Sequence, residues 1–203
     1  MKHLVQKQLA QSIATMQATL ADLYIADTIV AIAELTANAM QAGRKLMVAG
    51  NGGSAADAQH LVAEFVVRLS QNRPALRAIA LTTDSSIITA AGNDFSFDCI
   101  FARQVEALGQ PGDIFLGIST SGNSKNILQA VQQAKQMDIT TIGFTGNSGG
   151  QMRSLCDYNV VIPSNVTMNI QECHLALEHI YCMAVERFYF GEAIDSTTDP
   201  TAG

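Results

Sequence analysis

Apolar residues recur at helical spacing through the first forty positions. Leu9, Ile13, Met16 and Leu20 form one stripe, and Ile29, Ile32, Leu35 and Met40 a second, so residues 4–42 read as two helices. Gly43 supplies a stop signal. Beyond it the period changes. Short apolar runs at Lys45–Ala49, Ala78–Leu81, Ile114–Ile118, Thr141–Phe144 and Asn159–Ile162 predict strands. Amphipathic stretches near 54–69, 97–108, 124–137 and 149–155 predict helices between them, and a last long helix is expected over about 170–190. Alternating strands and helices imply βαβ units, hence an α/β fold with a parallel sheet covered on both faces. The strand runs are nearly continuous in hydrophobicity, as doubly covered strands should be. The expected organisation is a helical extension at 1–42, packed on the domain or on a neighbouring subunit, an α/β domain at 43–190, and a frayed polar tail at 191–203. No internal repeat and no low-complexity segment interrupts it.

Composition narrows the class. The chain has 203 residues, 48% of them hydrophobic, which is enough apolar material for the core of one domain. Eighteen acids against twelve bases leave a net charge of −6, and no basic block stands out, so a nucleic-acid partner is not expected. The apolar runs read as too short and too broken to span a bilayer. The start, MKHLVQKQLAQSIATMQ, is amphipathic rather than signal-like, which predicts a cytoplasmic protein. Cys99, Cys156, Cys173 and Cys182 match neither a zinc knuckle nor a disulfide framework and read as buried free thiols. The first and last helices carry more apolar surface than one small sheet can cover, which predicts a homo-oligomer.

Ligands of open parallel sheets bind outside the carboxyl ends of the strands. Two loops fall there. Gly50-Asn51-Gly52-Gly53-Ser54 follows the first strand and opens a helix. Its glycines allow close backbone approach, and Ser54 or Asp57 could cap the helix. Ser119-Thr120-Ser121-Gly122-Asn123-Ser124 follows the third strand, and its hydroxyls at a helix N-terminus form an oxyanion cradle. Neither loop is a P-loop or a dinucleotide fingerprint, so a small phosphate ester is the expected ligand. Asn93-Asp94, in AAGNDFSFD, reads as a turn, relevant to chemistry if it faces the same cleft.

His60 and Glu64 lie four residues apart, on one face of the helix after the first loop, a spacing that can hold zinc with open positions for substrate. An ion pair within the helix is the plainer reading. The last helix offers Gln171, His174, Glu178 and His179. His174 and Glu178 repeat the four-residue spacing, whereas Gln171 and His179 stand eight apart. Periodicity alone leaves both sets open.

Together AGNGGSAADAQHLVAEF, AAGNDFSFD, GISTSGNSKN and IQECHLALEHI resemble the phosphoheptose isomerases, the sedoheptulose 7-phosphate isomerases of the sugar-isomerase (SIS) fold, over about residues 5–190. The resemblance implies a flavodoxin-like five-stranded parallel sheet flanked by helices, and a homotetramer. It implies one zinc ion per subunit on His60, Glu64, Gln171 and His179, and it assigns no role to Glu178. Asn51, Gly52, Gly53, Asn93 and Asp94 would contact the sugar, and Ser119, Thr120, Ser121 and Ser124 the phosphate, with Ser54, Glu64 and Gln171 completing the substrate set. Glu64 and His179 would be the catalytic base and acid of an aldose–ketose isomerisation, the first step of ADP-heptose supply for the lipopolysaccharide core. At Met168 and Asn169 the chain departs from the family, which has an acidic or small residue at the first and often Arg at the second. Two other readings follow from the same resemblance: a non-catalytic SIS protein that binds a replication initiator, and an isomerase of another sugar phosphate. Relatives of the first kind lack the acid or the histidine at positions 64 and 179, and this chain has both.

Overall fold

The computed structural model describes residues 1–70 and 72–191. Two helices, α1 (Lys2–Ala21) and α2 (Leu23–Gln41), meet at Asp22, whose carboxylate accepts a bond from Tyr24 N–H and caps α2. Five strands follow: β1 (Leu46–Gly50), β2 (Ala78–Ala80), β3 (Ile114–Ser119), β4 (Thr140–Gly146) and β5 (Tyr158–Ile162). Between and after them run α3 (Gly53–Val66), α4 (Ser85–Asp94), a 3₁₀ turn (Phe97–Cys99), α5 (Ala102–Leu108), α6 (Lys125–Gln136), α7 (Met152–Leu155) and α8 (Thr167–Phe190). The strands form one sheet in the order β2-β1-β3-β4-β5, every pair parallel.

Alternation along each strand separates two cores. Leu46, Val48, Ile114, Leu116, Ile118, Ile142 and Phe144 face α2, α3 and α8, while Met47, Ala49 and Phe115 face the α4–α6 side. This is why the strands read as continuous apolar runs. The order reverses direction between β1 and β3, which opens a crevice at their carboxyl ends, where both polar loops emerge.

The structure corrects several expectations. Residues 85–94 form a helix that periodicity does not reveal, because Ala91 is its one buried residue and Ile87 and Ile88 are neighbours rather than a stripe. Its start is marked by Asp84, whose carboxylate accepts from Ile87 N–H at 2.9 Å. Asn93 and Asp94 therefore end a helix and do not form the expected turn. The helix expected over 97–108 is a 3₁₀ turn followed by the shorter α5, and that over 149–155 reduces to α7. Neither Ser54 nor Asp57 caps α3, which starts at Gly53 behind Gly52, with no side-chain cap. By length and composition α2 suffices for a membrane span, contrary to the reading of the apolar runs. Its apolar face, Ile25, Ile29, Ile32, Ala33, Ala37 and Met40, packs in the core instead. Three cysteines are buried free thiols, whereas Cys99 is half-buried. All but the first residue of the tail, 192–203, lies outside the described residues.

Along α8 the imidazole of His174 and the carboxyl of Glu178 are fully buried. His174 Nε2 lies 2.9 Å from Thr145 O on β4, and burial drives its imidazole down to about 4. Burial, with the Asp57 carboxyl nearby, pushes Glu178 up to about 8, and neither of its oxygens has a hydrogen-bond partner among the described residues. An unfolded chain releases the Glu178 proton near its ordinary 4.5, while the folded chain holds it to about 8. The folded state therefore binds more protons in that window, and stability falls as pH rises through it. His174 acts oppositely: its contribution is lost as pH falls from 6.5 towards 4. Replacing Glu178 with Gln should remove the alkaline loss. Urea unfolding at pH 5 and pH 8 should show the variant gaining on the wild type, by on the order of a few kcal/mol at the higher pH. A constant difference between the two pH values would refute the buried neutral acid.

Candidate active site

The first loop is shaped by a backbone requirement. Gly52 takes φ +56°, a conformation that disfavours side chains, and so turns β1 into α3. A Cβ at Gly53 would lie 2.5 Å from Gln171 Nε2, so this glycine is the surface on which the amide from α8 rests. The second loop turns at Gly122, with φ +64°, and is braced by the chain after β4. Met152 N–H donates to Gly122 O at 3.1 Å, and Gln151 N–H to Asn123 Oδ1 at 3.0 Å. Within it the hydroxyls gather: Ser119 Oγ lies 3.0 Å from Ser124 Oγ and 3.5 Å from Ser121 Oγ. Ser124 precedes α6 without a side-chain bond into the helix, so the first turn of a twelve-residue helix faces this hydroxyl cluster with the positive end of its dipole.

A reciprocal amide pair joins the two loops. Asn51 Nδ2 donates to Asn126 Oδ1 at 2.9 Å, and Asn126 Nδ2 donates to Asn51 Oδ1 at 2.8 Å. Asn126 is buried and also accepts from Ile127 N–H. Sequence reasoning missed it. A polar residue in the first turn of a helix usually faces water, and its partner lies 75 positions away.

The third component lies where α3 packs against α8. His60 Nε2 and His179 Nε2 are 2.7 Å apart with their rings edge to face, and Glu64 Oε1 lies 3.5 Å from His60 Nε2. One donor atom from each of the three falls within 4.8 Å of the others. Two imidazole nitrogens and a carboxylate oxygen converging at a half-exposed position form a donor set suited to zinc with an open coordination site. His179 thus joins His60 and Glu64, whereas His174 faces β4. Gln171 is placed two helical turns further towards the start of α8, its amide at Gly53. Asp57, one turn before His60, has its carboxyl raised by burial against an opposing effect of His60, and its Oδ2 is buried without a partner among the described residues.

Other expected residues are placed as follows. Ser54 is buried, while Thr120 is half-buried beside the hydroxyl cluster. Asn93 and Asp94 are exposed at the end of α4 and bond to each other at 2.8 Å, with no hydrogen bond to either loop among the described residues. Asn169 is buried against α1, accepting from Gln8 Nε2 at 3.0 Å and lying 3.4 Å from Thr15 Oγ1, so it links two helices. Met168 is exposed.

A family model for the SIS domain matches residues 9–146. Phosphoheptose isomerase of Clostridium acetobutylicum is 46% identical over 195 residues, which cover 96% of this chain and 100% of that protein. Phosphoheptose isomerase 2 of Campylobacter jejuni is 56% identical over 150 residues, 74% of this chain and 75% of its relative. The solved structure of phosphoheptose isomerase from Neisseria gonorrhoeae matches with a TM-score of 0.86 at 40% identity, covering 91% of this chain and 98% of that one. The 195-residue likeness takes in the sheet, both polar loops and the helices that carry the imidazoles, and the chain belongs to the phosphoheptose isomerases of the SIS-domain family.

Proposed function

We propose that the protein interconverts sedoheptulose 7-phosphate and D-glycero-D-manno-heptose 7-phosphate in the cytoplasm, with one zinc ion per subunit. The observation that carries this reading is the convergence of His60, Glu64 and His179 on one centre, in a fold whose hydroxyl cradle suits a phosphate ester. His60, Glu64, Gln171 and His179 would hold the zinc. When bound, zinc supplies Lewis-acid stabilisation of negative charge on the sugar's oxygens.

The residues of the chain do the rest. Ser119, Thr120, Ser121 and Ser124, with the first turn of α6, bind the phosphate dianion, and this remote grip holds the reacting carbons still. Asn51, Gly52, Gly53 and Ser54, with Asn93 and Asp94, hold the sugar hydroxyls. Glu64 takes the proton from C1 of the ketose, giving a cis-enediolate, and the proton is returned at C2. His179 moves the hydroxyl proton between O2 and O1, so atoms and charge balance with no redox partner. The presence of both Glu64 and His179 favours catalysis over the non-catalytic SIS reading. The exposed apolar residues of α1, among them Leu4, Val5, Leu9 and Ile13, support a homotetramer.

Three outcomes test this. Glu64→Gln should abolish turnover of sedoheptulose 7-phosphate while the chain still binds the sugar phosphate in calorimetry; full activity would remove Glu64 from the mechanism. Ser121→Ala should raise KM by an amount equivalent to about 1–3 kcal/mol with kcat nearly unchanged; an unaltered KM would put the phosphate elsewhere. Light scattering should give four times the chain mass, and Ile13→Lys should lower it; a monomeric wild type would overturn the assembly.

A further inference from the structure

Glu64 lies in the last turn of α3, where a helix leaves its final carbonyl oxygens without backbone partners. Val67 N–H closes on Ala63 O, and the chain then leaves the helical path. The next two carbonyls both accept from one guanidinium, and Phe65 O accepts as well from Leu76 N–H at 3.1 Å. Arg73 Nη2 donates to Glu64 O at 2.6 Å, and Nη1 donates to Phe65 O at 2.9 Å and to Pro74 O at 3.1 Å. Its Nε turns the other way, to Glu186 Oε1 on α8, at 2.6 Å. Both side chains are almost completely buried, at 5% and 3% relative exposure. Glu186 stands seven residues after His179 on α8, two turns along and on the same face.

A buried ion pair is poor evidence of stability, because desolvating two charges costs about what their attraction returns. Around it Phe65, Tyr181 and Cys182 already pack in the core. Apolar burial is non-directional, however, and does not by itself fix how far one helix slides along another. The guanidinium is a rigid planar fork. Here it points two ways at once, to the carbonyls at the end of α3 and to the carboxylate on α8. We infer that Arg73 and Glu186 are positioning residues, which lock α3 and α8 in the register that brings His60, Glu64 and His179 to a common centre. The inference rests on the proposed reading of that centre as the metal-holding, proton-moving site.

The test uses the full chain, with unfolding midpoints, zinc affinity by chelator competition, and kcat and KM for sedoheptulose 7-phosphate. Glu186→Ala should strand the Arg73 charge, lower stability, weaken zinc binding about 10–100-fold and reduce kcat, with KM little changed because the phosphate cradle is on β3 and α6. Glu186→Gln keeps an oxygen for Nε and should retain most of the zinc affinity. The double variant Arg73→Met/Glu186→Leu replaces the pair by apolar groups and should recover stability, yet still bind zinc weakly. That split separates registering from mere stabilising. A double variant with wild-type zinc affinity and kcat, or Glu186→Ala and Glu186→Gln behaving alike, overturns the inference. His60→Ala serves as the control. If it removes zinc binding while the double variant keeps it, the clamp alone fails. If it leaves the affinity of the wild type unaltered, the metal reading fails and takes the clamp with it.

Discussion

The site depends on one contact, the packing of α3 against α8 over a single face of the sheet. His60 and Glu64 come from one helix, and His179 from the other, 119 residues later than His60. The contact is filled by Leu61 and Phe65 on one side and Tyr181 and Cys182 on the other, with the Phe65 and Tyr181 rings 5.7 Å apart. Tyr181 is in turn tied to α2, its hydroxyl 2.6 Å from Thr36 Oγ1. Burial of these groups supplies energy, but donor atoms must meet within a few tenths of an ångström to serve a metal. Sliding α8 by one turn, about 5.4 Å, would keep much of the apolar burial and scatter the donors. Directional polar links are therefore what the site needs most from its surroundings.

The sheet supplies the second ingredient. Because β1 and β3 are neighbours that lead outward in opposite directions, the loops that follow them share one crevice. The glycine turn and the hydroxyl cluster are consequently adjacent although some seventy residues separate them in the chain. Asn51 and Asn126 turn that adjacency into a fixed relation. The glycine turn and the hydroxyl cluster are thereby parts of one frame.

Much of this was legible in the residues. The five apolar runs fell on the five strands within a residue or two, and both polar loops fell at carboxyl ends. Local patterns suffice for that, since a doubly buried strand needs an unbroken apolar run. They did not suffice for α4, whose exposed Ser85, Ser86 and Thr89 leave no apolar stripe. They also did not separate His174 from His179. Five residues apart on a helix means about 140° of rotation, so the two imidazoles face different neighbours. Which of those neighbours is α3 and which is β4 is decided by tertiary packing. Arg73 and Asn126 were invisible for the same reason: their roles are defined by partners far along the chain. The resemblance to a family singled out Gln171 and His179, where spacing left two sets open.

The Asn51–Asn126 pair bears on how such a protein can diversify. Each amide spends its side-chain oxygen and nitrogen on the other, so a lone mutation at Asn51 strands the buried amide of Asn126, and only a concerted exchange avoids it. Drift is thereby discouraged at the hinge of the crevice. Novelty in what the crevice accepts is channelled instead to segments with no such reciprocal tie, such as the exposed end of α4 and the solvent-facing start of α8 at Met168.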